Sequence, residues 1–347
     1  VKEGKKPFFL ILGHYAVHTP IQAPQKLVEK YQAKKKRMFG VTPLEMIPER
    51  FNCKVPARQQ NPVYAGMMEN LDTNVGKVID ALDELGLTKD TMIVFTSDNG
   101  GSCMPGTPAK RPTSNYPLRA SKGWNYEGGI RVPLVVHWPG KIKPNTTSDT
   151  LVTGTDYYPT LLEMTGLPTL PEQHVDGVSF LPALRGKAHD RGAIYWHFPH
   201  YSNHGYQSPG GAIRLGKYKL LEYYENGSVQ LFDLEKDIGE RNDLSESKPD
   251  ITAKLLKMLH DWRDEVDAKM PYPKTATSKP AKGARVSNAK PKNTSKAGSN
   301  LAADVATFAP GWKVRDWGGP AMKPGLRTQW DGRKKVLLSH PLSHSGP

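Results

Sequence analysis

Cysteine is scarce in this sequence, with two residues, Cys53 and Cys103, among 347. Two thiols are too few for a disulfide framework or a zinc ribbon, although they could form one bridge. Long apolar runs are also missing, because no stretch approaches the roughly 20 apolar residues that a membrane-spanning helix needs. The longest runs, residues 8–12 and 132–136, have the length of a strand. The sequence therefore predicts neither a disulfide-rich fold nor a membrane span.

Two common catalytic motifs are absent as well. No Gly-x-x-x-x-Gly-Lys-Ser/Thr segment occurs, which excludes a P-loop, and no Gly-x-Ser-x-Gly elbow predicts a serine hydrolase. The first residues, Val1 to Lys6, contain neither an initiator Met nor the apolar core of a signal peptide. We therefore expect the biological N-terminus to lie upstream, and the first residues predict nothing about the compartment.

Positive charge is plentiful but unevenly distributed. Of the net charge of +14, residues 271–347 contribute 14 basic and 3 acidic residues, a surplus of 11, which leaves +3 for the rest. Residues 271–307 are rich in Lys, Ala, Ser and Pro, which predicts a basic, disordered linker, and residues 308–347 form a tail of unpredicted structure. Such a tail can attract polyanions such as sulfated glycans, but no nucleic-acid-binding module accompanies it. We therefore expect no specific nucleic-acid partner.

Alternating helix and strand patterns predict an α/β domain over residues 1–192. Residues 64–85 place apolar side chains three or four positions apart, as in an amphipathic helix. An apolar strand at residues 91–96 and a glycine-containing polar loop follow, which is the order of an αβ unit in a parallel sheet. Further strands are expected at residues 8–12, where the run predicts burial, and at residues 132–138. We predict a mostly parallel central sheet flanked by helices.

The pattern changes after residue 192 to short strands and tight turns. Three segments are rich in strand-forming residues and are separated by turn sequences: 212–215, 218–221 and 229–232. Residues 249–267 place apolar residues on one face of a helix. We predict a small antiparallel C-terminal subdomain with a terminal helix over residues 193–270, packed on the preceding domain.

Three polar segments carry side chains suited to binding a metal ion or an anion. Asp98 and Asn99 follow a predicted strand and offer the oxygen donors that Ca²⁺ prefers. Lys122 lies among glycines ahead of another strand, and an ammonium group suits a tetrahedral oxyanion. His18 follows the first strand and can protonate, donate to an anion or bind a metal. Each segment also has a plainer interpretation, as a tight turn, a surface lysine and a solvent-facing histidine.

Together these segments resemble the sulfatase family of the alkaline-phosphatase superfamily. The segments that carry the likeness are Tyr15-Ala-Val-His-Thr-Pro20, Phe95-Thr-Ser-Asp-Asn-Gly-Gly101 and Lys122-Gly-Trp-Asn-Tyr-Glu-Gly-Gly-Ile-Arg-Val-Pro133. Three later segments are similar to the C-terminal subdomain of bacterial members: residues 197–200, 212–220 and 231–240. The resemblance covers about residues 7–273. It implies an alkaline-phosphatase-like fold of which the N-terminal part is missing.

The resemblance implies roles for the residues that match family motifs. Asp98 and Asn99 match two ligands of one Ca²⁺ ion, His18 matches a histidine that contacts the sulfate group, and Lys122 matches a lysine that holds a sulfate oxygen and steadies the leaving group. A weaker inference concerns positions from which bacterial members often build the substrate pocket: His197, His200, Arg214 and Lys217. The implied reaction is the hydrolysis of a sulfate ester of a carbohydrate or an aryl alcohol. Family members are usually exported, which predicts a periplasmic or secreted protein.

One part of the family's pattern is absent. The family's nucleophile is a formylglycine made from Cys or Ser in a Cys/Ser-x-Pro-x-Arg motif, and this sequence contains no such motif. The nearest segment, Cys53-Lys-Val-Pro56-Ala-Arg58, has one residue too many between Cys and Pro and follows His18 instead of preceding it. We expect the nucleophile and the remaining Ca²⁺ ligands upstream of Val1, and we expect the 347 residues alone to be inactive.

Two other functions stay open at this point. A phosphatase or phosphonate hydrolase of the same superfamily would share the metal and anion sites. The residues of the nucleophile segment would distinguish a phosphatase from a sulfatase. A non-catalytic glycan-binding paralogue would keep the fold without the chemistry. The sequence predicts neither the sugar nor the oligomeric state.

Overall fold

The computed structural model describes most of the first 272 residues and the backbone of three later strands, namely residues 7–50, 53–103, 112–202, 207–272, 312–315, 327–330 and 336–337. The chain divides into two compact units: Val1–His18 with Pro273–Pro347, and Thr19–Tyr272. The predicted linker and most of the predicted tail lie outside the described residues. The predicted boundary at residues 192–193 falls within the second unit and stays a prediction.

The described residues contain eighteen helices and strands apart from short 3₁₀ turns. In chain order they are β1 (Phe9–Leu10), α1 (Gln25–Phe39), β2 (Met46–Pro48), β3 (Lys54–Pro56), α2 (Pro62–Glu84), β4 (Ile93–Thr96), α3 (Glu127–Ile130), β5 (Leu134–His137), α4 (Tyr157–Met164), α5 (Leu181–Leu184), β6 (Ile194–Phe198), β7 (Gly210–Leu215), β8 (Tyr218–Tyr223), β9 (Ser228–Asp233), α6 (Pro249–Glu265), β10 (Trp312–Arg315), β11 (Arg327–Trp330) and β12 (Val336–Leu337). None of the helices within this part of the chain combines the length and the apolarity that crossing a membrane requires.

The first unit contains β1, which pairs in parallel with β12, and the antiparallel pair of β10 and β11. The apolar run at residues 8–12 predicted a buried strand, and the predicted burial is wrong, because the side chains of Phe9 and Leu10 are exposed. An apolar run predicts that a strand could be buried. It does not predict which other residues pack over its side chains.

Helices α1 and α2 pack against each other at the start of the second unit. Helix α2 begins after Asn61, whose side chain accepts hydrogen bonds from the backbone N–H groups of Val63 and Tyr64. This cap satisfies donors that would otherwise lack a partner in the first turn. Gly66 lies against α1, because a Cβ atom at this position would come 3.2 Å from the Cβ atom of Leu27. The helix predicted at residues 64–85 is confirmed.

Strand β4 follows α2 as predicted, and its end positions the polar loop at residues 97–101. Among the described strands its hydrogen-bonded neighbour is β5, and the pair is antiparallel, with Ile93 opposite His137 and Thr96 opposite Leu134. Phe95 and Val135 are exposed. The apolar pattern therefore located both strands, but it did not predict the direction of their pairing or the exposure of these side chains.

The C-terminal subdomain contains a four-stranded antiparallel sheet in the order β6-β7-β8-β9. Its antiparallel pairing and strands β7 to β9 were predicted, whereas β6 was not. Successive side chains of a strand point to opposite faces, so the sheet presents two apolar surfaces. One surface packs on α6, through a cluster made of Ile213, Leu220, Leu231, Leu255 and Leu259. The other surface packs on the loop that follows Arg119, through Ala212, Leu221, Tyr223, Phe232, Trp124 and Tyr126. The sheet is thus enclosed between a helix and the loop that bears Lys122.

Candidate functional site

The loop after β4 presents two side-chain oxygen atoms that have no hydrogen-bond donor among the described residues. One carboxylate oxygen of Asp98 accepts a hydrogen bond from the backbone N–H of Asn99 at 2.9 Å. The Asn99 side-chain N–H donates to the carbonyl of Gly100 at 3.0 Å, which fixes the orientation of the amide. Within the described residues, the Oδ2 atom of Asp98 and the Oδ1 atom of Asn99 accept no hydrogen bond. Both are therefore available as ligands for a cation.

Backbone hydrogen bonds join this loop to the segment that carries Lys122. The N–H of Lys122 donates to the carbonyl of Gly101 at 3.1 Å, and the N–H of Gly100 donates to the carbonyl of Gly129 at 3.0 Å. The structure therefore brings Asp98, Asn99 and Lys122 to one edge of the second unit. The Lys122 side chain is half-buried and makes no hydrogen bond or ion pair with the described part of the chain.

Asn115 fixes the distance between the two loops. Its side-chain oxygen accepts from the N–H of Gly101 at 3.0 Å. Its side-chain nitrogen donates to the carbonyl of Gly101 at 2.8 Å and to that of Ala120 at 3.2 Å. A partly buried amide that bonds backbone groups of both loops holds them in one register. The sequence alone did not indicate this role, because Asn115 lies in an irregular Pro-rich segment.

Glycines permit the close approach of the two loops. A Cβ atom at Gly100 would lie 1.9 Å from the carbonyl oxygen of Gly128, and one at Gly129 would lie 2.1 Å from that of Trp124. Both distances are far below van der Waals contact, so a larger residue at Gly100 would push the two loops apart, and one at Gly129 would distort the Lys122 loop itself. The glycines of the two sequence motifs are therefore required by packing.

A buried ion-pair cluster lies directly behind the Lys122 loop. Glu127 begins α3, and its carboxylate binds Lys219 at 3.0 Å, Arg131 at 2.6 Å and Arg214 at 3.4 Å. Burial alone would raise the pKa of Glu127, but the positive charge of Lys219, with that of the two arginines, outweighs it and lowers the pKa to about 2. Glu127 is therefore ionised at neutral pH. The sequence motif contains Glu127 but gave no indication of its partners.

The predicted pocket residues interact mainly within the C-terminal subdomain. The two ring nitrogens of His197 bind the Tyr224 hydroxyl at 2.7 Å and the Lys269 carbonyl at 3.0 Å. Arg214 binds Glu127, and Lys217 forms an ion pair with Asp233 at 3.5 Å. The structure thus brings Arg214 to the Lys122 loop.

His200 is exposed, and its ring packs on Phe198 with the ring centres 3.9 Å apart. A role of His197, His200, Arg214 or Lys217 in substrate binding stays a prediction.

His18 belongs to the other compact unit. Its N–H donates to the carbonyl of Tyr15 at 2.9 Å, and its ring packs edge-on against the Tyr15 ring. Its predicted contact with the sulfate group therefore stays a prediction. Cys53 and Cys103 are both buried, and the bridge between them that the sequence left open is not formed.

The donor set of the loop after β4 fits part of a Ca²⁺ site. Calcium takes six to eight oxygen ligands, and Asp98 and Asn99 supply a carboxylate and an amide oxygen on adjacent residues. Within the described ranges, no group of three or more His, Cys, Asp or Glu side chains could hold a metal ion. An ion bound by Asp98 and Asn99 therefore needs further ligands beyond the His, Cys, Asp and Glu side chains of the described residues.

Replacing Gly100 with Ala tests the contact between the loops. The new Cβ atom would collide with the Gly128 carbonyl, so Gly100→Ala should lower the free energy of unfolding by roughly 1–3 kcal/mol in a urea titration. Gly76→Ala is the matched control, because a Cβ atom at Gly76 in α2 meets nothing within 4 Å. The control should stabilise the protein by about 0.5–1 kcal/mol. Equal effects of the two substitutions would contradict the account.

Acid should remove the stabilisation that Glu127 contributes. Because its pKa falls from 4.5 to about 2 on folding, the contribution is present above pH 4.5 and is lost as the pH falls towards 2. At neutral pH it amounts to something on the order of 3 kcal/mol. In urea titrations between pH 6 and pH 3, Glu127→Gln should therefore show a shallower decline in stability than the wild type. The control is Glu29→Gln, which removes one carboxylate from an exposed position; an equal change in slope for both would refute the prediction.

Comparison with known proteins agrees with this geometry. The family profile described as "Sulfatase" matches residues 1–167, and the profile "N-sulphoglucosamine sulphohydrolase, C-terminal" matches residues 120–265. A sulfatase of Formosa agariphila is 34% identical over 306 residues, which cover 78% of this chain and 51% of the relative. Human arylsulfatase A is 32% identical over 223 residues, which cover 58% of this chain and 42% of the relative. The chain thus spans about half the length of these relatives.

Solved structures show the same likeness. The crystal structure of Ps i-CgsB, also solved in complex with k-i-k-neocarrahexaose, is 31% identical with a TM-score of 0.59, over 75% of this chain and 51% of that one. The putative sulfatase yidJ from Bacteroides fragilis has a TM-score of 0.58 at 24% identity, over 77% of this chain and 56% of that one. These structures confirm the predicted alkaline-phosphatase-like α/β fold with its antiparallel C-terminal part. Since the two family profiles together extend from residue 1 to residue 265, the chain belongs to the sulfatase family of the alkaline-phosphatase superfamily.

Proposed function

We propose that the protein hydrolyses sulfate esters. The observation that carries the proposal is the hydrogen bond between the Lys122 N–H and the Gly101 carbonyl, which holds a lysine beside the Asp98–Asn99 pair. A pair of oxygen ligands for a cation, on a loop bonded to the backbone of a lysine, suits a tetrahedral anion, whose charge must be neutralised as an S–O bond breaks. Membership of the sulfatase family supports the same reaction.

We propose that Asp98 and Asn99 are two ligands of one Ca²⁺ ion. Their side-chain oxygen atoms lie on adjacent residues of one loop, and Ca²⁺ binds carboxylate and amide oxygens at about 2.3–2.6 Å. When bound, the ion would neutralise the negative charge of the sulfate group. The protein's own part is to hold the two oxygens in place, through the hydrogen bonds that Asp98 and Asn99 make within the loop.

We assign two tasks to Lys122. Its ammonium group binds a sulfate oxygen, and it stabilises the alcohol oxygen that carries the developing charge when the ester bond breaks. We propose that His18 contacts the same sulfate group. The attacking hydroxyl would come from a formylglycine in a segment outside these 347 residues, so we expect these residues to be inactive without that segment.

A sulfated carbohydrate is the substrate class that we propose. The complex of Ps i-CgsB with k-i-k-neocarrahexaose supports it, because that relative shares the fold at 31% identity. Cationic side chains of the C-terminal subdomain support it too. Lys217, just after the end of β7, stays partly exposed and could contact an anionic sugar. A small aryl sulfate would serve as a convenient assay substrate.

Replacement of Asp98 tests the proposed metal ligand. In the full-length protein with Ca²⁺, Asp98→Ala should reduce sulfate release from an aryl sulfate by about 10³-fold or more, because the cation would lose a charged ligand. Asp149→Ala, which removes an exposed aspartate from another loop, is the control and should keep full activity. Near-normal turnover of Asp98→Ala would exclude Asp98 as a ligand.

Lys122→Ala in the same assay should lower kcat by about 10²–10³-fold. A change confined to KM would instead mean that Lys122 only contacts the substrate.

A further inference from the structure

Glu240 is a buried carboxylate in an unusual backbone conformation. It lies after β9, its residue is fully buried, and its φ angle of 53° falls in the left-handed region. Residues other than glycine rarely adopt this conformation, and such residues persist where the surrounding structure demands them. The position of this side chain is therefore maintained against a local preference, which suggests that its contacts matter.

The contacts of Glu240 join the C-terminal sheet to the Lys122 loop. One carboxylate oxygen binds the ammonium group of Lys219, on β8, at 2.8 Å. The other accepts a hydrogen bond from the backbone N–H of Glu127 at 2.7 Å. The backbone carbonyl of Glu240 accepts from the guanidinium group of Arg119 at 2.7 Å. One residue thus binds the sheet and two points of the loop.

The two points lie at the two ends of the loop that carries Lys122. The N–H of Gly128 donates to the carbonyl of Arg119 at 2.8 Å and closes this loop into a ring of backbone. Lys122 lies within the ring and is bonded through its own N–H to the carbonyl of Gly101. Movement of Arg119 or Glu127 would therefore move Lys122 relative to the Asp98 loop.

A gain in stability alone does not explain why Glu240 makes these buried polar contacts. Buried ion pairs are commonly no more stabilising than well-packed apolar residues of similar size. Burial also raises the pKa of Glu240, against the opposing effect of Lys219, so the ionised form is costly at this position. Directional contacts define the position of the loop more narrowly than apolar packing does, which is what a charged catalytic group requires.

We propose that Glu240 is a positioning residue that fixes Lys122 for the reaction. The inference rests on the proposed sulfate-ester hydrolysis, in which Lys122 acts on the sulfate group. Glu240 touches neither substrate nor metal in this account. It acts through the Arg119–Gly128 ring, and Lys219 holds its carboxylate from the sheet.

The first test measures the loop without any assay of activity. Glu240→Gln keeps the size of the side chain, but its amide nitrogen must face either Lys219 or the Glu127 N–H, both of which are donors. Hydrogen exchange of the amides at 120–129 should accelerate at least about tenfold in Glu240→Gln. The control Leu259→Ala creates a cavity on the α6 side of the sheet, and it should accelerate exchange in β7 to β9 and α6 but not in the loop.

The second test is a double-mutant cycle with Lys122 in the full-length protein. Glu240→Gln should lower kcat for an aryl sulfate by about 10–100-fold and change KM by less than about threefold. In a Lys122→Ala background the same substitution should cost less than about threefold, because the group that it positions is already absent. Glu240→Gly, which accepts the left-handed φ but also lacks the carboxylate, should lose kcat as Glu240→Gln does.

An equal loss of kcat with and without Lys122, or unchanged exchange at residues 120–129, would overturn the proposal. So would full activity of Glu240→Gly. If the wild-type protein released no sulfate, the proposed function would fail, while hydrogen exchange would still decide whether Glu240 holds the loop.

Discussion

The ion pairs of Lys219 with Glu127 and Glu240 are the interactions on which the arrangement of the site depends. The lysine is fully buried between the sheet and the Lys122 loop, and each of its partners is almost completely shielded from water. Removing Lys219 would take the shared ammonium group from two buried carboxylates, and loss of one member of a buried ion pair commonly costs about 3–5 kcal/mol. Few alternative loop positions can satisfy these three groups together, so the cluster ties the loop to one face of the antiparallel sheet.

The geometry of the site follows from this constraint. Aromatic side chains of the loop, Trp124 and Tyr126, fill the apolar face of the sheet, while α6 covers the opposite face. The sheet holds the Lys122 loop on one side. Backbone hydrogen bonds from Gly100 and Lys122 then align the Asp98 loop with it. The C-terminal subdomain is therefore part of the machinery of the site, because it sets where the lysine lies relative to the proposed metal ligands.

Sequence patterns predicted the elements of the fold better than their partners. Helix α2 and strands β7 to β9 follow from apolar periodicity, and Asp98, Asn99 and Lys122 follow from short motifs with family-like spacing. The exposure of β1 and the antiparallel pairing of β4 with β5 did not follow, because an apolar strand does not specify what covers it or which strand lies beside it. Glu240 was equally unpredictable, since its role depends on contacts with residues more than 20 and more than 100 positions away.

We propose that the Asp98–Asn99 loop and Lys122 form one site for a cation and a tetrahedral anion. The most direct test is a crystal structure of the full-length protein with Ca²⁺ and inorganic sulfate, in which anomalous scattering locates the metal. We expect a Ca²⁺ ion about 2.3–2.6 Å from oxygen atoms of Asp98 and Asn99, with a sulfate oxygen within hydrogen-bonding distance of the Lys122 ammonium group. A Ca²⁺ ion bound elsewhere, or a sulfate remote from Lys122, would contradict it.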